Sequence, residues 1–200
     1  WFPQLDLFLK YMKRCNYMLQ QGQYVADVAY FIGEDAPKMM GQTIPDIPKG
    51  FSYDFVNAEV LMDAQMEDGK LSLKSGMQYR ILVLPETRTM RPELLRKLKE
   101  LVAQGLVLMG EPPIQSPSLK DYPKADEEVQ ALAEELWQTK LHPYDELVKY
   151  GEGRIYRRTS LEHFFKSIAL APDFSTDDPM LPVLFIHRKL AEGDLYFISN

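Results

Sequence analysis

The chain has 200 residues, of which 46% are hydrophobic and 26% charged, an ordinary globular mixture that excludes a largely disordered tail and a coiled coil. Its formal net charge is −6 and its 23 Lys and Arg residues are scattered, so no basic stripe marks a nucleic-acid partner. No apolar run reaches the roughly 20 residues that cross a bilayer, and no membrane partner is expected.

In chain order, Leu5, Phe8, Leu9, Met12, Cys15 and Leu19 recur at helical spacing and predict an amphipathic helix over 3–21, ended by Gly22. The apolar run Val25 to Ile32, closed by Gly33, predicts a strand buried on both faces. Pro37, Pro45 and Pro48 make residues 36–49 a long loop. Tyr53 to Met62 reads as a short helix with Asp54 as its N-cap or first-turn acid. Leu71 and Leu73 alternate with polar residues, and Tyr79 to Pro85 predicts a central strand.

Pro92 to Gln104 predicts a helix with Leu94, Leu95, Leu98, Leu101 and Val102 on one face, and Leu106 to Met109 the next strand. This unit implies parallel pairing through a right-handed crossover. A Pro- and Ser-rich loop over 112–123 precedes a helix at Asp126 to Trp137. A strand at Arg154 to Arg157 and a helix capped by Ser160 follow, and Val183 to His187 with Leu195 to Ile198 predict a closing antiparallel hairpin. The expected fold is one α/β domain over 1–200: an open, mostly parallel, doubly wound sheet of flavodoxin-like or class I glutamine amidotransferase-like type.

Such sheets carry their sites beyond the carboxyl ends of the strands. Gly33-Glu34-Asp35 there lacks a phosphate-cradling glycine turn, and Gly110-Glu111-Pro112 offers neither Cys nor Ser as a nucleophile. Cys15 is expected to pack as an inert thiol on the first helix. His142, His163 and His187 share no ligand spacing, and no metal or other cofactor is expected in this domain. Trp1, Tyr17, Tyr24, Tyr53, Tyr122 and Trp137 are each expected to pack in a core sooner than to stack on a sugar.

The most suggestive group is the run from Gly50 to Glu59. On a helix beginning near Tyr53, Asp54 and Asn57 share a face, an acid and an amide suited to sugar hydroxyls. The alternative is that Asp54 only caps that helix while Asn57 bonds a neighbouring loop.

The runs YMKRCNYMLQQG (11–22), Val25-Ala26-Asp27-Val28, GFSYDFVNAEVL (50–61) and SGMQYRILVLP (75–85) come in an order that resembles the segment following the catalytic barrel in glycoside hydrolase family 106, the α-L-rhamnosidases. The similarity continues through Pro92 to Leu101, Ser116 to Leu119, Tyr122-Pro123, Phe185 to Arg188 and Tyr196 to Asn200. The leading helix and first strand also look like parts of β-galactosidases with an amidotransferase-like second domain.

The resemblance implies a secreted or periplasmic parent that releases terminal L-rhamnose from polysaccharides with inversion. It would use two glutamates, and often a calcium ion, on a preceding (β/α)₈ barrel, to which residues 1–22 would link. On this reading the chain is an accessory, non-catalytic domain whose partners are that barrel and, through it, a rhamnose-containing carbohydrate. Asp54, with Tyr53 and Asn57, would contribute to the sugar pocket, and no catalytic residue lies here. Two other readings stand beside it: an oligomerisation or interdomain spacer, and a free-standing amidotransferase-like hydrolase.

Overall fold

Four consecutive buried residues, Val28–Phe31, form the strand around which the larger part of the chain is built. The structure, a computed structural model, describes residues 2–35, 41–141, 143–178 and 181–199. After a 3-10 turn at Phe2–Gln4, the elements in chain order begin with α1 (Leu5–Leu19), β1 (Gln23–Tyr24), β2 (Val28–Phe31), β3 (Tyr53–Val56) and α2 (Ala58–Met62). They continue with β4 (Gln65–Glu67), β5 (Lys70–Ser72), β6 (Gln78–Tyr79), β7 (Ile81–Val83), α3 (Pro92–Ala103), β8 (Val107–Met109) and α4 (Lys124–Trp137). The last are β9 (Leu147–Tyr150), β10 (Gly153–Tyr156), α5 (Leu161–Ser167), β11 (Leu184–Leu190) and β12 (Gly193–Ser199).

The chain divides into two compact units, Ala26–Asp173 and a second made of Trp1–Val25 with Phe174–Asn200. The larger unit holds a six-stranded sheet in the order β3-β2-β7-β8-β10-β9. Every neighbouring pair is parallel except β10 with β9, which forms an antiparallel hairpin. Val28, Tyr30, Ile81 and Val83 point to one face, where they form a cluster with Leu161, Phe164 and Phe165 of α5. Because side chains alternate along a strand, Ala29, Leu82, Leu108 and Ile155 point to the other.

On α3, Leu94, Leu95, Leu98, Leu101 and Val102 are buried, each contributing about 1.5–3 kcal/mol by leaving water. Pro92 stands at its start, where a missing N–H costs nothing. Two ion pairs, Arg96–Glu128 at 2.7 Å and Lys99–Glu135 at 2.6 Å, join α3 to α4. A small antiparallel sheet, β4-β5-β6, completes this unit. The smaller unit is α1 with the antiparallel sheet β1-β11-β12, so the C-terminal hairpin expected from the sequence is present.

Two expectations are corrected. Tyr53 to Met62 is not one helix: Tyr53–Val56 pairs in parallel register with Val28–Phe31, and the helix begins only at Ala58. Asp54 therefore caps nothing. The cap is Asn57, whose Oδ1 accepts from the Val60 amide at 3.0 Å. The central strand is also interrupted, because the amide of Arg80 donates to the Asp27 carbonyl at 2.8 Å and splits β6 from β7.

Candidate functional site

In the larger unit β2 runs on to β3 on one side of it while β7 runs on to β8 on the other, so the topological switch point, where such sheets open a crevice, falls between the carboxyl ends of β2 and β7. Glu34 and Asp35 follow β2; Thr89 and Arg91 follow β7. Arg91 is the N-cap of α3 and has no capping side chain of its own. Glu34 takes that role from across the crevice: its Oε2 accepts from the Arg91 amide at 2.7 Å and its Oε1 from Arg91 Nε. A carboxylate there also meets the positive end of the helix dipole. The bond to Glu34 is the main reason the Arg91 guanidinium is held above its usual pKa.

Asp35 Oδ1 accepts from the Thr89 hydroxyl, while its buried Oδ2 has no hydrogen-bond partner among the described residues. Farther along the rim, Glu111 Oε2 lies 2.9 Å from Nη2 of Arg157, a side chain that is 5% exposed, and Glu111 Oε1 lies 3.6 Å from Arg158 Nε. The preceding Gly110 is held by Trp137, whose Nε1 donates to its carbonyl at 2.9 Å. Glu34 and Glu111 are thus tied to arginines of the same fold, and Asp35 to a threonine. Sequence reasoning saw these acids and not their partners, which come from loops 40 to 60 positions away.

A second feature near this end is a cleft of ≈ 380 Å³ lined by Arg91, Arg96, Glu128, Ser116, Lys120 and Lys124 among others. A groove of ≈ 440 Å³ lies elsewhere in the same unit, where Phe51 stacks on Phe165 with ring centroids 4.0 Å apart. Among the described residues, no group of three or more His, Cys, Asp or Glu is placed to hold a metal ion. Nor is any described helix long and apolar enough to cross a membrane.

The candidate sugar-contacting residues do not converge. Tyr53 and Asp54 are neighbours on a strand and so face opposite sides. Asp54 Oδ2 accepts from the hydroxyl of buried Tyr79 at 3.1 Å, and Oδ1 from the Phe55 amide at 2.8 Å. Tyr53 packs edge-on against Tyr30 at 5.6 Å and Phe55 at 5.4 Å while remaining partly exposed. Asn57 is exposed and occupied as the cap of α2.

Of the histidines, His163 is exposed on α5, and His142 lies outside the described residues, as does Trp1. His187, in the smaller unit, is buried; its ring stacks on Tyr196 and its Nε2 lies 3.0 Å from Asp194 Oδ1. Cys15 is half-buried on α1, outside any core. Trp137 is fully buried, whereas Tyr17 and Tyr122 are exposed.

The model of the alpha-L-rhamnosidase family, glycoside hydrolase family 106, matches residues 1–200. The chain belongs to this family. Two comparisons give the scale of the longer proteins it resembles. It is 37% identical over 202 residues to a protein of Formosa agariphila named "putative beta-glucuronidase", covering 100% of this chain and 16% of that protein. It also superposes on a solved rhamnosidase of Novosphingobium sp. PP1Y with a TM-score of 0.80 and 29% identity, covering 96% of this chain and 19% of the other. The family 106 chain described here thus spans less than a fifth of either relative.

Proposed function

We propose that this chain is an accessory, non-catalytic domain of an α-L-rhamnosidase-type glycoside hydrolase that packs beside the catalytic barrel of the same longer protein. The carrying observation is that the family match runs along the whole chain while the chain accounts for only 16% and 19% of its relatives. The rim supports the reading, since a glycosidase needs two carboxyl groups facing across a sugar. Here Glu34 caps a helix and Glu111 neutralises a buried arginine. Hydrolysis in this reading belongs to the outside region, as does the calcium that the resemblance implies, and the parent acts in the periplasm or outside the cell. The parallel order β3-β2-β7-β8 supports a flavodoxin-like or amidotransferase-like origin for the sheet.

Within this reading, the contribution to the sugar pocket comes from the edge strand β3 and the turn after it. Tyr53 offers an aromatic ring held by two neighbours, Asp54 fixes the strand through Tyr79, and Asn57 stands at the strand's end. The test is steady-state hydrolysis of an aryl α-L-rhamnoside by the full-length protein carrying Tyr53→Ala, Asp54→Ala or Asn57→Ala. A KM raised at least about fivefold in one of them, with the fold intact, is expected; unchanged kinetics in all three would remove the pocket contribution.

A further inference from the structure

Among the described residues, the smaller unit has no buried apolar core of its own. Every described buried hydrophobic residue lies between Ala26 and Phe165, in the larger unit, and the only buried residue described in the smaller one is His187. A segment of that size is at the lower limit of independent stability even with a good core. Its one helix is also unusual. At about 100° per residue, the side chains Leu7, Met18, Tyr11, Cys15, Phe8, Leu19, Met12, Leu5 and Leu9 of α1 fall in one arc of roughly 200°, in which Asn16, near one end between Leu5 and Leu9, is the one polar member. Lys13, Asp6, Tyr17, Lys10 and Arg14 fill the remainder.

A surface helix that covers one core needs a stripe of only about 100°. An arc twice as wide belongs to a helix covered on two sides. Yet no residue of α1 is buried: Leu5, Cys15 and Leu19 are half-covered, Leu7 is 67% exposed and Phe8 58%. Contiguous apolar surface of this kind marks a contact, and an isolated helix of this length is marginal in water.

We propose that α1 is an interface helix, whose apolar arc is covered by the catalytic region of the same longer chain. The occupant follows from three observations together: more than four-fifths of each matched relative lies outside this chain, the described residues leave all of α1 unburied, and the exposed arc is mostly aliphatic and aromatic, as an obligate intramolecular contact is. The proposal rests on the reading of the chain as a domain of a longer glycosidase and adds the surface by which it is held.

The experiment uses the full-length protein with p-benzoylphenylalanine in place of Leu7, Tyr11 or Met18 on the arc, and of Lys10 as a control on the polar strip. After irradiation, crosslinked peptides are identified by mass spectrometry. Arc positions are expected to link to the catalytic region at least about tenfold more than position 10 does. Crosslinks mainly to residues 26–173, to a second molecule, or to no peptide above the control would overturn the proposal. The readout is independent of turnover: unchanged kinetics in the Tyr53, Asp54 and Asn57 variants would end the pocket contribution while leaving the α1 contact standing.

Discussion

The hydroxyl of Tyr79 donates to Asp54 Oδ2 at 3.1 Å, across 25 positions of sequence and from a strand of the small antiparallel sheet to the edge strand of the large one. Tyr79 is 1% exposed and Asp54 half-buried, so the two ends of this bond lose differently when cut. Tyr79→Phe leaves a carboxylate that water reaches and is expected to cost about 1 kcal/mol. Asp54→Ala removes the acceptor of two bonds, from the Tyr79 hydroxyl and from the Phe55 amide, and is expected to cost more, about 1–3 kcal/mol. Denaturant unfolding checks the order; the reverse order would mean that Asp54 carries no structural duty.

The pair between Arg157 and Glu111 is similarly unequal, with side chains 5% and 37% exposed. Truncating one partner of a desolvated pair costs about 3–5 kcal/mol, mostly through what is left behind. Glu111→Gln retains a hydrogen-bond acceptor but takes the negative charge from beside a guanidinium that is 5% exposed, and is expected to cost about 3–5 kcal/mol. Arg157→Met keeps most of the buried side-chain volume and leaves only a partly exposed carboxylate, and is expected to cost less, about 1–2 kcal/mol. Equal losses in thermal denaturation would contradict this account.

Two glycines separate crowding from backbone strain. A Cβ on Gly153 would sit 2.1 Å from the Val102 carbonyl oxygen and 2.6 Å from that of Leu106, both backbone atoms where α3 meets β8 and β10. Gly153→Ala is expected to cost at least about 3 kcal/mol. Gly69, in the turn between β4 and β5, has φ +72° and open space around it. Gly69→Ala is therefore expected to cost only about 1–2 kcal/mol of left-handed strain. Comparable unfolding midpoints for the two variants would sink the distinction.

In the smaller unit, the hydrogen bond from His187 is the main reason Asp194 is held below its usual carboxylate pKa of 3.8, with Lys189 adding to it. A carboxylate whose folded pKa is depressed contributes stability that is present above the unfolded value and disappears as pH falls through the folded one. Amide protection in β11 and β12 is expected to decline as pH drops below about 3.8, and Asp194→Asn to remove that decline. Hydrogen exchange, corrected for the intrinsic rate, measures both; an identical pH profile in the variant would rule the mechanism out.

Much of the larger unit is legible in the sequence because its signals are local. The leucines of α3 repeat at helical spacing between Pro92 and Gly105, and the Ser160 hydroxyl accepts from the His163 amide as a cap should. The error at Tyr53 arises where local and long-range signals conflict. Tyr53-Asp54-Phe55-Val56 has aromatic and β-branched side chains suited to a strand, but only the pairing with Val28–Phe31 makes it one. β9 escaped notice because Leu147–Tyr150 is short and has a single buried residue, and gains its identity from β10. The candidate site was legible in part: Glu34, Asp35 and Glu111 stand at strand ends as expected, while Arg91, Thr89 and Arg157 join them only through folding.

The pairing of β1 with β11 has one further implication. Gln23 and Tyr24 lie opposite Lys189 and Arg188, and the Val25 amide donates to the His187 carbonyl at 3.0 Å. The polypeptide therefore departs for the larger unit and returns from it along adjacent ladders of one sheet. Residues 26–173 are topologically an excursion from a clasp. Length can be added to or taken from that excursion without altering the separation between the incoming and outgoing strands, so this arrangement lets the inserted body diverge while β1 and β11 stay paired.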